Sequence, residues 1–187
     1  MKEAIKILFL TPWMLFFSFG VMAQEIKVSE PEWEGDIVYV NEPTGKGVGL
    51  ERQLAAVKTK ANAAMHATGM GKYITVMTVK GEKSPVRVKK NSTIQFVYKF
   101  KSNDKNPRDI IQILKTVSEK GSRSVEIASS GTFSGTSSGD VNLLTFEAVK
   151  YGTSSYLITL RDLPAGEYGF SLGDTPSLNV YCFGVDE

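Results

Sequence analysis

Apolar and polar residues alternate with period two over most of the chain beyond residue 72. In Thr93-Ile94-Gln95-Phe96-Val97-Tyr98-Lys99-Phe100-Lys101, Ile94, Phe96, Tyr98 and Phe100 share one face, while Thr93, Gln95, Lys99 and Lys101 share the other. That is the pattern of a strand with one face in a core. Val86-Arg87-Val88-Lys89 repeats it in short form and turns Arg87 and Lys89 to a common side. Further strands are predicted over 36–41, 73–80, 122–128, 143–149, 155–160, 167–172 and 178–185, with short intervals rich in Gly, Ser, Pro, Asn and Asp between them, as turns require. Short strands at regular spacing predict an all-β fold: an antiparallel β-sandwich, immunoglobulin-like or jelly-roll-like, with room for one short helix.

Two stretches carry both periods. Ile110, Ile113, Leu114 and Val117 stand at helical spacing behind Asn106-Pro107, a helix-opening pair, yet the same residues also alternate. Leu50 to Ala67 is rich in alanine, which favours a helix by propensity, but Lys58-Thr59-Lys60-Ala61-Asn62 interrupts its apolar stripe. Both read as mainly extended, with a short helix in either as the alternative. Ser129 to Asp140, built of Ser, Thr and Gly around Phe133, reads as a flexible loop. Leu163-Pro164-Ala165-Gly166-Glu167-Tyr168 has the composition of a tyrosine corner, in which the Tyr hydroxyl bonds back to the preceding turn.

The N-terminus changes the picture of where the chain works. Lys2 and Lys6 precede an apolar run from Ile7 to Val21 that closes on Val21-Met22-Ala23, the form of a secretory signal peptide cleaved after Ala23. The run is interrupted by Thr11-Pro12 and Ser18 and falls short of the roughly 20 residues a spanning helix needs, so a retained anchor is the weaker reading. No Cys follows it to accept a lipid. The expected organisation is a signal peptide over 1–23, an acidic and poorly ordered lead-in over 24–35 and a single β-sandwich domain over 36–187, in a periplasmic or secreted protein that is not an integral membrane protein after cleavage.

Composition then narrows the chemistry. Cys182 is the only cysteine and lies in an apolar run, so no internal disulfide forms and a buried thiol is expected. From Lys72 to Arg123, 13 Lys or Arg stand against four Asp or Glu, whereas Ser124 to Glu187 has two against eight. Either the two halves interleave and neutralise each other across sheet faces, or a basic surface meets an anionic partner. Strand alternation makes Lys83, Arg87, Lys89, Lys90, Lys99 and Lys101 the candidate binding residues of such a surface.

Catalytic strings fare poorly. Gly135-Thr136-Ser137-Ser138-Gly139 matches a nucleophile elbow only as a string, since Ser, Thr and Gly surround it and the sole histidine, His66, lies upstream. Gly69-Met70-Gly71-Lys72 lacks the earlier glycine and the following Ser or Thr of a phosphate loop and reads as a turn. Ser102-Asn103-Asp104-Lys105 is followed by Asn106-Pro107, which denies it the helix an S-x-x-K pair needs. One His and one Cys leave no zinc set. Asp104, Asp140 and Asp174 do not form a calcium loop, and no cofactor is expected. Asn91-Ser92-Thr93 is a formal glycosylation sequon that also suits a turn. Glu147, Asp162 and Glu167 are the carboxylates available to a glycosidase, whose pairing depends on the fold rather than on spacing.

The segments Lys150-Tyr151-Gly152-Thr153-Ser154-Ser155-Tyr156-Leu157, Pro164-Ala165-Gly166-Glu167-Tyr168 and Phe183-Gly184-Val185-Asp186, with Thr68-Gly69-Met70-Gly71-Lys72, Lys80-Gly81 and Ala128-Ser129-Ser130-Gly131-Thr132-Phe133, resemble a group of exported bacterial β-rich proteins sharing this pattern. The resemblance implies a compact β domain ending at Asp186 and strand in both ambiguous stretches. It carries no activity and no functional residue.

Three functions remain open to these residues. One is a noncatalytic β-sandwich with a binding or structural role in the cell envelope, its partner an envelope protein, a glycan or an acidic polymer. Another is a binder of anionic polymers through the basic face of 72–123, with nucleic acid not expected as the partner, and the third is a polysaccharide or wall hydrolase. Expression of the full chain in a bacterium and intact-mass measurement of the exported product should give a protein beginning at Gln24. A product retaining residues 1–23 would contradict the cleavage.

Overall fold

The computed structural model describes residues 28–41, 44–91, 93–131, 143–173 and 178–187, and for 135–138 the backbone alone. The expected leader, Ser92 of the sequon, Phe133, Asp140 and Asp174 lie outside the described residues. The strands are β1 (Ile37–Asn41), β2 (Lys46–Gly49), β3 (Glu51–Leu54), β4 (Ala56–Ala61), β5 (Lys72–Lys80), β6 (Arg87–Lys89), β7 (Thr93–Lys99), β8 (Ile111–Glu119), β9 (Ser122–Gly131), β10 (Gly135–Ser138), β11 (Glu147–Tyr151), β12 (Ser155–Arg161), β13 (Gly166–Leu172) and β14 (Asn179–Asp186). Two short helices interrupt them, α1 (Ala63–Thr68) and α2 (Pro107–Ile110).

The result is a sandwich of two sheets. One has the order β11-β12-β7-β1-β2 and the other β3-β14-β13-β8-β9-β5-β4, with β10 on β9 and β6 on β14. Every pairing is antiparallel except β6 with β14. Period two explains what fills the space between. Ile94, Phe96 and Tyr98 from β7 meet Tyr168 and Phe170 from β13 and Phe183 from β14. The Phe96 ring stands edge-on to Phe170 at 5.0 Å and tilted to Phe183 at 4.8 Å, the offset geometries that ring quadrupoles favour. The tyrosine corner forms as its composition predicts, with the Tyr168 hydroxyl donating to the Pro164 carbonyl at 2.7 Å.

The larger sheet rolls until its two edges meet. β3 pairs with β14 at one edge and β4 pairs with β5 at the other, yet only Ala55 separates β3 from β4 in the chain. Ala55 is buried, and its N–H donates to the Leu178 carbonyl at 2.8 Å. Beside it the Gln53 side chain receives the Lys80 N–H at 2.9 Å and donates to the Lys80 carbonyl at 3.0 Å, continuing the ladder where backbone pairing stops. The roll encloses a second core of Met77, Val79, Leu114, Val125, Val180 and Cys182.

Both ambiguous stretches are mainly extended, and each contains a short helix. Asn62 caps α1 by accepting the Met65 N–H at 2.9 Å, and Gly69 ends it at φ 69°, so Gly69-Met70-Gly71-Lys72 joins a helix to a strand. Asn106 and Pro107 do open α2. It lasts one turn, with Ile110 already buried at its end, because Ile111, Ile113 and Leu114 are buried too, a demand that β8 meets by sending Ile111 and Ile113 to one core and Leu114 to the other.

Three expectations are corrected. Ser129–Asp140 is not a loop throughout: β9 runs on to Gly131 and β10 pairs back on it, because a ladder flanked by β5 needs no apolar side chains to form. The strand expected over 143–149 starts late, at Glu147; Leu143 makes a single bridge to Leu114, while Leu144 and Phe146 turn onto the core. Residues 28–35 are no loose lead-in, since Val28 is buried against Val40 and Val97 on the outer face of the smaller sheet.

Glu30 fastens that segment. Its carboxylate accepts from Lys99 Nζ at 2.6 Å, from Ser155 Oγ at 2.9 Å and from the Thr153 N–H, and it occupies the space that a side chain on Gly152, at φ 56°, would need. The hydrogen bond from Lys99, helped by those from Thr153 and Ser155, holds its pKa down from 4.5 to about 2. The stabilisation is therefore present above pH 4.5 and lost as pH falls toward 2. Thermal melts of Glu30→Gln against the parent chain should show a stability gap near neutral pH that closes across this interval, and a gap independent of pH would refute the assignment.

Candidate functional site

The candidate cations do not share one face. Lys89 and Lys90 lie before the start of β7, whereas Lys99 ends it and Lys101 follows, and seven residues of strand separate the two pairs by about 20 Å. Several are also neutralised. Lys99 holds Glu30, and Lys101 lies 3.7 Å from Glu34 at the surface. Arg87 pairs with Glu167 and, at 2.6 Å, with Asp186. Lys83 is exposed and adds to the positive field beside Asp186, whose carboxyl is held below its usual range chiefly by the Arg87 hydrogen bond.

Arg87 belongs to a charge network that sequence reasoning missed. Its guanidinium lies over Gly184, where any side chain would collide with it. Glu167, 7% exposed, also accepts the Ser84 N–H at 2.8 Å. Arg123, 1% exposed, donates to Glu51 at 2.9 Å and to the carbonyls of Gly81 and Lys80 at 3.0 Å each, and its Nη1 lies 3.6 Å from Glu167. That Nη1 has no hydrogen-bond partner among the described residues. The signal was phase: in Ser122-Arg123-Ser124-Val125, Arg123 alternates with Val125 toward the interior. Burial, first of all, pushes the neighbouring Cys182 thiol up to about 12, which keeps it protonated and unreactive.

Of the six candidates, Lys83, Lys89 and Lys90 have no ion pair among the described residues, and Lys89 and Lys90 stand side by side. Both are exposed, and among the described residues no carboxylate lies within ion-pair distance of either. They border a cleft of about 530 Å³ between the end of β1, β6 and the start of β7. Tyr39, half-buried beside Phe96 with ring centroids 5.9 Å apart, is part of its wall, as are the amide side chains of Asn41, Asn91 and Gln95. Two cations, an aromatic ring and several amides converge there.

The glycosidase carboxylates differ in their surroundings. Glu147 receives two hydrogen bonds of 3.0 Å from Arg161, which lower its pKa, the wrong direction for a general acid. Asp162 sits exposed in a turn at φ 50°, and Glu167 belongs to the buried network. Ser137 of the elbow-like string lies within β10, paired with Ser129, rather than at a strand-to-helix turn. His66 is exposed on α1, and no group of three or more His, Cys, Asp or Glu suited to a metal occurs among the described residues. No helix among them is long and apolar enough to cross a membrane.

The network makes a stability prediction. Arg123→Met leaves Glu51 and Glu167 short of a partner inside the roll, and removal of one member of a buried pair costs about 3 kcal/mol or more. Denaturant unfolding should show that loss; a change below about 1 kcal/mol would mean that the network is not needed for stability.

No protein-family model and no curated protein matches this chain.

Proposed function

We propose that the chain is an exported, noncatalytic β-sandwich module that binds an acidic glycan in the Lys89–Lys90 cleft. The observation that supports this reading is the convergence of two exposed lysines, with no carboxylate in ion-pair distance among the described residues, on a cavity of about 530 Å³ walled by Tyr39 and amide side chains. Lysine ammonium groups are hydrated point charges that attract carboxylate or sulfate without demanding one fixed geometry. Amides match sugar hydroxyls as both donors and acceptors, and an aromatic face supplies apolar contact. Arg87 and Lys99, also candidates by alternation, hold internal carboxylates and contribute position rather than free charge. Export rests on the leader read from residues 1–23.

The mature chain, Gln24 to Glu187, should bind acidic polysaccharides in preference to neutral ones on a glycan array, and the binding should weaken as salt shortens the screening length. Combined Lys89→Glu and Lys90→Glu should lower affinity at least tenfold, about 1.4 kcal/mol, while Lys101→Glu should leave it unchanged. Undiminished binding by the double variant, or equal binding to neutral glycans, would overturn the proposal.

A further inference from the structure

A second cleft has a different chemistry. Leu143–Phe146 crosses from the rolled sheet to the smaller one, tied to β8 by the Leu144 N–H donating to the Ile113 carbonyl at 2.8 Å. Between this crossing and the start of β8 lies a cavity of about 420 Å³, lined by Leu143, Leu144 and Phe146, by the exposed Gln112 and Thr145 and by the core-buried Ile111 and Ile113, and bordered by Arg108. Leu143 is 51% exposed along it. An adjoining cleft of about 260 Å³ shares Arg108 and Phe146 and runs on to the Glu147–Arg161 pair.

Arg108 differs from the other four arginines. Arg87, Arg123 and Arg161 hold carboxylates, and Arg52 lies over the Tyr181 ring at 5.8 Å. Arg108 is exposed at the end of the apolar cavity and has no ion-pair or aromatic partner among the described residues. A guanidinium fork at the rim of an apolar slot matches a ligand with a planar anionic head and an apolar tail, since the fork takes a carboxylate through two parallel hydrogen bonds and the slot removes the tail from water.

We propose that this cleft is a binding site for a small amphipathic carboxylate, with the tail among Leu143, Leu144 and Phe146 and the carboxylate on Arg108. It is independent of the Lys89–Lys90 cleft, with which it shares no lining residue.

Calorimetric titration of the mature chain with decanoate, octanoate and decanol tests it. Decanoate should bind saturably and roughly fifteenfold more tightly than octanoate, since each buried methylene is worth about fourfold, and decanol should bind at least tenfold more weakly than decanoate. Arg108→Gln, a surface change that should leave the melting temperature in place, should erase the preference for acid over alcohol. Leu143→Gln should weaken both ligands together. Lys89→Glu with Lys90→Glu should leave decanoate binding intact, which separates this site from the glycan cleft. Absence of saturable decanoate binding, equal affinity for the alcohol, an unchanged acid preference in Arg108→Gln, or loss of decanoate binding in the Lys89/Lys90 variant would each overturn the proposal.

Discussion

The buried meeting of Arg123 with Glu167 and Glu51 is the constraint around which the larger sheet is organised. Arg123 belongs to β9, Glu167 to β13 and Glu51 to β3, and Arg87 on β6 completes the charge balance from the far side of Glu167. An apolar set of equal volume would pack as well or better. Charges add register, because a strand slipped by one residue would carry Arg123 or Glu167 to the opposite face of the sheet and leave its partner buried and unpaired. The roll that joins β3 to β4 through Ala55 therefore has one arrangement that satisfies both its hydrogen bonds and its charges.

This internal use of charge decides what reaches the surface. The stretch from Lys72 to Arg123 looks like a basic face when its residues are counted. In the folded chain Arg123 and Arg87 neutralise carboxylates between strands, and Lys99 fastens the N-terminal segment through Glu30. Among the described cations of this stretch without a carboxylate at ion-pair distance, Lys89 and Lys90 border one cleft and Arg108 borders another. Arg87 and Arg123 of this stretch meet carboxylates of 124–187, as the interleaving expectation has it, while the anion-binding surface stays a proposal for Lys89 and Lys90.

Legibility followed the range of the interaction. The tyrosine corner was readable because Pro164 and Tyr168 are four residues apart. β7 and β12 were readable because apolar and polar residues alternate along them, and β13 and β14 because aromatic and apolar residues recur along strands buried on both faces. The hairpin of β9 and β10 was not, because residues 129–131 and 135–138 are Ser, Thr and Gly without apolar alternation, and their pairing is a backbone ladder that β5 continues on the other side of β9. Residues 28–35 were misread for a related reason: composition describes Val28 and Glu30 as isolated, while Val97, Lys99 and Ser155 receive them from far along the chain. Of the six candidate cations, alternation identified those that point away from the core, but it could not say which would find a carboxylate there.

The sequence by itself determined the fold class, the main strands, the absence of an internal disulfide and the lack of a local catalytic motif. Each depends on neighbours within a few residues or on the presence of a residue type at all. Tertiary structure decided that the larger sheet closes on itself, that Arg123 and Glu167 belong inside, that Glu30 anchors the N-terminal segment, and which cations stay unpaired beside a cleft. Those outcomes are set by contacts between residues from about 40 to 125 positions apart. Such contacts depend on strand order and register, and neither is encoded in the period of a single strand.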